Sequence, residues 1–155
     1  MSTLQEILTR PGTRPQVIAD CERLIEEEVD SKGLIGLPIK AAYKIVKAIK
    51  PGFVPEVIDH MLEDFAERLD PMYQAAVGRN EPVSAYFNAR TGEVAEALLA
   101  ITDQRAQRAK NQTLKSAYER LRPSGKKHVE LAVPRIARLV ARYAAAAPTV
   151  APPTA

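Results

Sequence analysis

The chain has 155 residues, enough for one domain with a real core and no need of metal or disulfide staples. Aromatic residues make up only 5% and Trp is absent, so the core must be built from Leu, Ile, Val and Ala, which favours helices over a β-sandwich. A single cysteine excludes an internal disulfide and a cysteine zinc cluster. The net charge of +3 conceals an uneven split, with 11 basic and 17 acidic residues in 1–103 but 11 basic and 2 acidic in 104–143.

The first residues lack the basic and apolar regions of a signal peptide, and no run approaches the roughly 18 apolar residues of a membrane span. A cytoplasmic protein without a membrane span is therefore expected. A short turn at 4–9 ends before Pro11-Gly12. Thr13-Arg14-Pro15-Gln16 then reads as a capping box, with Thr13 as N-cap and Gln16 at N3. The helix that follows buries Val17, Ile18, Cys21, Leu24, Ile25 and Val29, and its outer face is acidic: Asp20, Glu22, Glu26, Glu27, Glu28 and Asp30. Ser31-Lys32-Gly33 stops it. Gly33-Leu34-Ile35-Gly36-Leu37 reads as an apolar loop, in which Gly33-x-x-Gly36 superficially matches the GxxG clamp of KH modules. Leu34 and Ile35 fill it, so it reads as a packed link.

Pro38 suits the first turn of the next helix, which turns Ile39, Ala42, Tyr43, Val46 and Ile49 inward and lines a neighbouring face with Lys40, Lys44 and Lys47. After Pro51-Gly52, Pro55 opens a helix to about Leu69, and Asp70-Pro71 begins a short one around 72–77. A longer segment runs from Val83 to about Ala109, with Gly92 marking a junction of two helices or a weak point in one. Residues 111–122 form another helix that Pro123-Ser124-Gly125 breaks. The last stretch runs to about Ala145 with Pro134 inside it, where proline either starts a fresh helix or kinks a continuous one. No sustained period-2 run appears. The chain is therefore all-α, a compact globular bundle of seven or eight short helices spanning 1–143, with an Ala/Pro-rich tail at 144–155 expected to be disordered.

Two stretches look like charge-reversed copies. Val54-Pro55-Glu56-Val57 aligns with Val133-Pro134-Arg135-Ile136, placing Glu56, Asp59 and Glu63 opposite Arg135, Arg138 and Arg142, each trio on one helical face. Upstream, Lys40-Ala41-Ala42-Tyr43 matches Lys115-Ser116-Ala117-Tyr118. The pattern suggests repeat units 13–70 and 83–143 related by a pseudo-twofold, with the two trios in contact within or between chains.

No catalytic or cofactor constellation emerges. His60 has Glu56 a turn before it and Glu63 and Asp64 a turn after, but the helical di-iron signature needs Glu-x-x-His on two helices, so an acidic solvated face is favoured over a metal site. Cys21, on the apolar stripe with no His nearby in sequence, reads as a small buried hydrophobe. Tyr43 and Tyr118 read as core anchors with a hydroxyl at a polar rim. The basic faces Lys40/Lys44/Lys47 and Arg135/Arg138/Arg142, the latter extended by Arg120, Arg122, Lys126 and Lys127, resemble surfaces that neutralise phosphate. Base-stacking aromatics and a helix-turn-helix signature are missing, so internal pairing is the favoured reading of both.

Several motifs carry a resemblance across almost the whole chain: Leu4-Gln5-Glu6-Ile7-Leu8, Ile39-Lys40-Ala41-Ala42-Tyr43, Ile49-Lys50-Pro51-Gly52, Leu69-Asp70-Pro71, Ala97-Leu98-Leu99, Thr102-Asp103 and Ala117-Tyr118-Glu119-Arg120-Leu121-Arg122. By these the chain resembles a family of small, all-helical, mainly actinobacterial proteins of unknown function, and the resemblance implies no catalytic residue. The residues themselves point to a non-enzymatic cytoplasmic protein acting through protein contacts or as a homodimer. Binding of nucleic acid or another polyanion through 104–143 is the alternative.

Overall fold

A computed structural model describes residues 2–31 and 36–146. Seven helices follow in order: α1 (Leu4–Leu8), α2 (Arg14–Asp30), α3 (Leu37–Lys47), α4 (Phe53–Gly78), α5 (Val83–Asn88), α6 (Thr91–Arg108) and α7 (Gln112–Ala146). Among the described residues there is no strand, as the sequence pattern predicts. Among the described residues no helix is long and apolar enough to cross a membrane.

The layout is two long helices bridged by five shorter ones. Each of α1, α2, α3, α5 and α6 packs against both α4 and α7, and these two long helices are held together through the bridges. The main core gathers Leu4, Ile7 and Leu8 of α1, Val17 of α2 and Leu62, Ala66, Leu69, Tyr73 and Ala76 of α4. Tyr86 and Phe87 of α5, Val94 of α6, and Val133, Ala137, Leu139 and Val140 of α7 complete it. It therefore engages the C-terminal half of α7. At the other end of that helix Ala117 is buried outside this cluster, as is Ala42 of α3.

The helix termini follow from local chemistry. Thr3 caps α1 by accepting the Glu6 N–H at 3.1 Å, and Asn111 caps α7 by accepting the Leu114 N–H at 3.1 Å. Gly52 precedes α4 at φ +73°, a left-handed conformation that glycine adopts without a Cβ penalty. The capping box expected at Thr13 is not made. Thr13 sits in helical φ/ψ, its side chain caps nothing, and its N–H bonds Arg10 O at 2.9 Å, so the chain enters α2 through a preceding turn.

Two expected breaks, at Asp70-Pro71 and at Pro123-Ser124-Gly125, are also absent, and of the two alternatives at Pro134 the helix does not start afresh. α4 runs unbroken through Asp70-Pro71, and α7 through Pro123-Ser124-Gly125 and Pro134, giving helices of 26 and 35 residues in place of short ones. An interior proline costs about 3 kcal/mol. Burial offsets it, since a single apolar side chain taken out of water contributes about 1.5–3 kcal/mol. Around Pro71 the residues Ala66, Leu69, Tyr73 and Ala76 are all buried, and around Pro134 so are Val133, Ala137 and Val140. Asp70 has a further role: its Oδ1 accepts the first N–H of α1, from Leu4, at 2.8 Å, and Gln74 Nε2 at 3.1 Å. The junction anticipated near Thr91-Gly92 is real, with α5 ending at Asn88 and α6 starting at Thr91.

The matched stretches of the proposed repeat occupy different architecture. Lys40–Tyr43 and Val54-Pro55 lie on separate helices, α3 and the first turn of α4, whereas Lys115–Tyr118 and Val133-Pro134 lie on the single helix α7. Helix α7 continues through Ala146, three residues into the segment expected to be disordered. The remainder of that tail, 147–155, and residues 32–35, which include the start of the apolar loop, lie outside the described residues, and Leu37, expected in that loop, is the first residue of α3.

Candidate functional site

Helix α2 carries the charge complementarity that the sequence assigns to direct contact between the two trios. Its first residue, Arg14, donates from Nε to Asp59 Oδ1 at 2.7 Å, from Nη1 to Glu63 Oε1 at 2.8 Å and from Nη2 to the Asp59 carbonyl at 2.6 Å. Further along, Arg135 of α7 donates to Glu28 at 2.6 Å and Glu27 at 2.7 Å, and Arg142 donates to Asp20 at 3.0 Å. As α2 advances from 20 to 28 its partners on α7 recede from 142 to 135, so the two helices run antiparallel. Glu56 pairs instead with Lys50 at 2.8 Å, which holds its carboxyl below the ordinary value, and lies 3.9 Å from His60. The expected contact between Glu56/Asp59/Glu63 and Arg135/Arg138/Arg142 is thus replaced within the chain by α2. That helix offers an arginine to one trio and carboxylates to the other.

This seam contains a recess of about 330 Å³ between α2 and α7. Arg23, Arg135, Arg138 and Arg142 line it with Asp20 and Glu27, and Leu24 and Leu139 complete its wall. Tyr143 donates its hydroxyl to Asp20, and burial first, then that bond, pushes its phenol up to about 12. Burial pushes the neighbouring Cys21 thiol up to about 11, which leaves it protonated and unreactive near neutral pH.

A second cluster joins α6 to the N-terminal half of α7. Arg122 grips Asp103 with two bonds, Nε to Oδ1 at 2.8 Å and Nη2 to Oδ2 at 3.1 Å, the fork geometry that suits guanidinium and carboxylate. Tyr118 donates to Asp103, and its oxygen lies 2.9 Å from Thr102 Oγ1. The Arg122 bond holds Asp103 below its ordinary value, while burial and the Asp103 bond push Tyr118 up to about 12. Two motifs of the sequence, Thr102-Asp103 and Ala117–Arg122, therefore meet here. Lys126 to Glu96 at 2.8 Å and Arg105 to Asp64 at 3.1 Å tie α6 to α7 and to α4 respectively. A recess of about 580 Å³ opens beside Tyr118 and Arg122.

The third feature is apolar. Pro38, Ala41, Ala42 and Ile45 of α3 face Thr113, Ser116, Ala117, Arg120 and Leu121 of α7 across a groove of about 440 Å³. Leu37 is 55% exposed and Ile45 39% exposed, two large apolar side chains about two turns apart on one helix. Leu37, Ala41, Ile45 and Ala48 recur at helical spacing, all exposed, as one outward apolar stripe. Along α7 the exposed residues Arg120, Ser124, Lys127 and Leu131 continue the open face at i, i+4, i+7 and i+11, and Leu131 is 56% exposed.

The sequence-nominated residues thus divide. Asp59, Glu63, Arg135 and Arg142 are engaged in ion pairs that hold the bundle together. Lys47 pairs with Glu26 at 3.3 Å and stands 5.3 Å from the Tyr43 ring centre, and the Tyr43 hydroxyl also reaches Glu26, at 3.5 Å. Lys40, Lys44 and Arg138 have no ion-pair partner among the described residues. Sequence reasoning missed Arg14, Asp20 and Asp103 as organising groups. It also passed over the second apolar stripe of α3, although Leu37, Ala41 and Ile45 are the residues left over once Ile39, Ala42, Tyr43, Val46 and Ile49 are turned inward.

Fold and surface together define an all-helical protein with open recesses between helices and, among the described residues, no group of three or more His, Cys, Asp or Glu side chains placed to hold a metal ion. The chain belongs to a family of unknown function (DUF6918), whose family model matches residues 4–144. No curated protein and no solved structure matches it.

Proposed function

We propose that the protein works without catalysing a reaction, by holding an amphipathic helix of a partner protein in the α3–α7 groove. The observation carrying this reading is the outward stripe of Leu37, Ala41 and Ile45 beside a groove floored by Ala42, Ala117 and Leu121. An amphipathic helix lays its apolar face into such a groove, reading it at i, i+3, i+4 and i+7. The 11 residues of α3 extend roughly 16 Å, room for about three turns of a docked helix.

Charge complementarity specifies the occupant. Arg120 lines the groove on the α7 side and Lys44 is exposed on α3 next to the lining residue Ile45 in sequence, and neither has a carboxylate partner among the described residues. A helix with apolar anchors flanked by Glu or Asp fits this rim. The acidic helix of a second copy does not serve, because the apolar stripe of α2 is already packed, with Val17 and Val29 buried and Ile18 and Leu24 against the core.

A photo-crosslinking residue placed at Ala41 in cells tests the reading. One partner should be captured through an acidic amphipathic segment. The same complex, rebuilt from purified proteins, should weaken at least about tenfold on Ile45→Glu, as expected for an anchor worth more than about 1.4 kcal/mol. A rebuilt complex indifferent to Ile45→Glu and to Lys44→Glu would refute it. So would a crosslink only to a second copy, accompanied by a dimer in light scattering.

A further inference from the structure

From the α2–α7 recess we infer a binding site for a compact phosphate-type anion, a phosphomonoester or a pyrophosphate group, distinct from the helix-docking groove and independent of it. Four guanidiniums line this recess of about 330 Å³. Arg135 is consumed by Glu27 and Glu28 at 2.7 and 2.6 Å. Of the other three, Arg142 and Arg23 share one carboxylate, Asp20. Arg142 reaches it at 3.0 Å and Arg23 only loosely at 3.6 Å, and these two side chains remain 61% and 68% exposed. Arg138, exposed between them, has no ion-pair partner among the described residues.

The local balance is therefore positive. Arg23, Arg138 and Arg142 against Asp20 leave two uncompensated charges at the mouth, and one for the recess as a whole when the Glu27–Arg135–Glu28 group is included. Asp20 is also held by the Tyr143 hydroxyl, so it is fixed on the α2 side while the exposed guanidiniums can turn toward a ligand. Planar forks converging on a small volume suit the several oxygens of a phosphate, and each charge-assisted bond is stronger than a neutral one.

The same surroundings argue for a compact ligand over a nucleic acid. An extended polyanion passing across the recess meets the acidic flank of α2, where Glu22, Glu26 and Asp30 lie along the helix. The basic residues 104–143 are moreover not one continuous stripe, because Arg105, Arg122, Lys126, Arg135 and Arg142 are all paired within the chain.

Titration of the full chain with sodium pyrophosphate, followed by calorimetry and by thermal shift against sodium chloride at matched ionic strength, tests the site. The expected result is saturable binding with a rise in Tm, weakened about tenfold or more by Arg138→Gln, since losing one charged hydrogen bond costs about 1.5–3 kcal/mol. Arg138 is exposed and unpaired, so the substitution leaves the fold and the α3–α7 groove intact. Arg108→Gln, on exposed α6 surface, should bind as the parent does. A response equal to that of sodium chloride overturns the inference. So does unchanged affinity in Arg138→Gln. Tighter binding of a 12-nucleotide single-stranded RNA than of pyrophosphate would contradict the compact-anion reading.

Discussion

The two halves of α7 have similar sequence character and opposite fates. Both are basic and both interrupt helical pattern with a proline. The C-terminal half sinks Val133, Ala137 and Val140 into the main core, and α2 claims its Arg135 and Arg142. The N-terminal half buries Ala117, binds Asp103 through Arg122 on the α6 side, and leaves Arg120 beside an open apolar groove on the α3 side. Positive charge along a helix therefore does not say whether it is available. That is decided by which neighbour brings carboxylates, and α2 brings three to one half while α3 brings none to the other.

Substitutions break or sharpen this contrast in a graded order. Phe87→Ala, which empties the largest fully buried side chain of the core that engages the C-terminal half of α7, should lower the unfolding free energy by about 3–5 kcal/mol in urea titration. Asp103→Asn removes the grip of Arg122 and the acceptor of Tyr118 on the N-terminal half. It should cost about 1–3 kcal/mol, less than the core change, as a partly exposed cluster must.

The pH dependence reports the same seams. Tyr43, Tyr118 and Tyr143 are each pushed up to about 12, first by burial and then by a neighbouring carboxylate. The folded chain holds these protons more tightly than the unfolded one, so their contribution is intact below about pH 10 and is lost as pH rises toward 12. The urea midpoint should fall across that interval in step with the phenolate absorbance, and Tyr118→Phe should shrink the fall. Asp103 works in the opposite direction: its lowered value contributes above its ordinary 3.8 and is lost as pH drops through the folded-state value. Smallest in stability is Ile45→Glu, which should move the unfolding free energy by no more than about 0.5 kcal/mol, since Ile45 is exposed. A large loss there would mean that the groove face is structural.

Much of this fold is legible in the chain. The apolar stripe of α2, the inward face of α3 and the turn at Gly52 are local patterns, and each appears where periodicity and turn chemistry put it. The continuous helices are not legible, because Pro71, Pro123 and Pro134 are helix breakers by local rule, and the burial that offsets Pro71 and Pro134 is supplied only by the tertiary structure. Charge pairing was half visible. The complementary trios on α4 and α7 do not pair with each other within the chain, and sequence spacing could not reveal that α2 serves both through Arg14 and through Asp20, Glu27 and Glu28. The groove was the least legible, since an exposed apolar stripe is apparent only once the inward face of α3 has been fixed.

The contrast between the halves of α7 comes down to two arginines, Arg135 and Arg120, compared by urea denaturation after the same substitution to Glu. Arg135→Glu, which faces two carboxylates it used to hold, should lose about 1–3 kcal/mol. Arg120→Glu should stay within about 0.5 kcal/mol of the parent, because Arg120 has no ion-pair partner among the described residues. Equal losses, or a larger loss at Arg120, would contradict the assignment of one half of α7 to holding the bundle together and the other to receiving a partner.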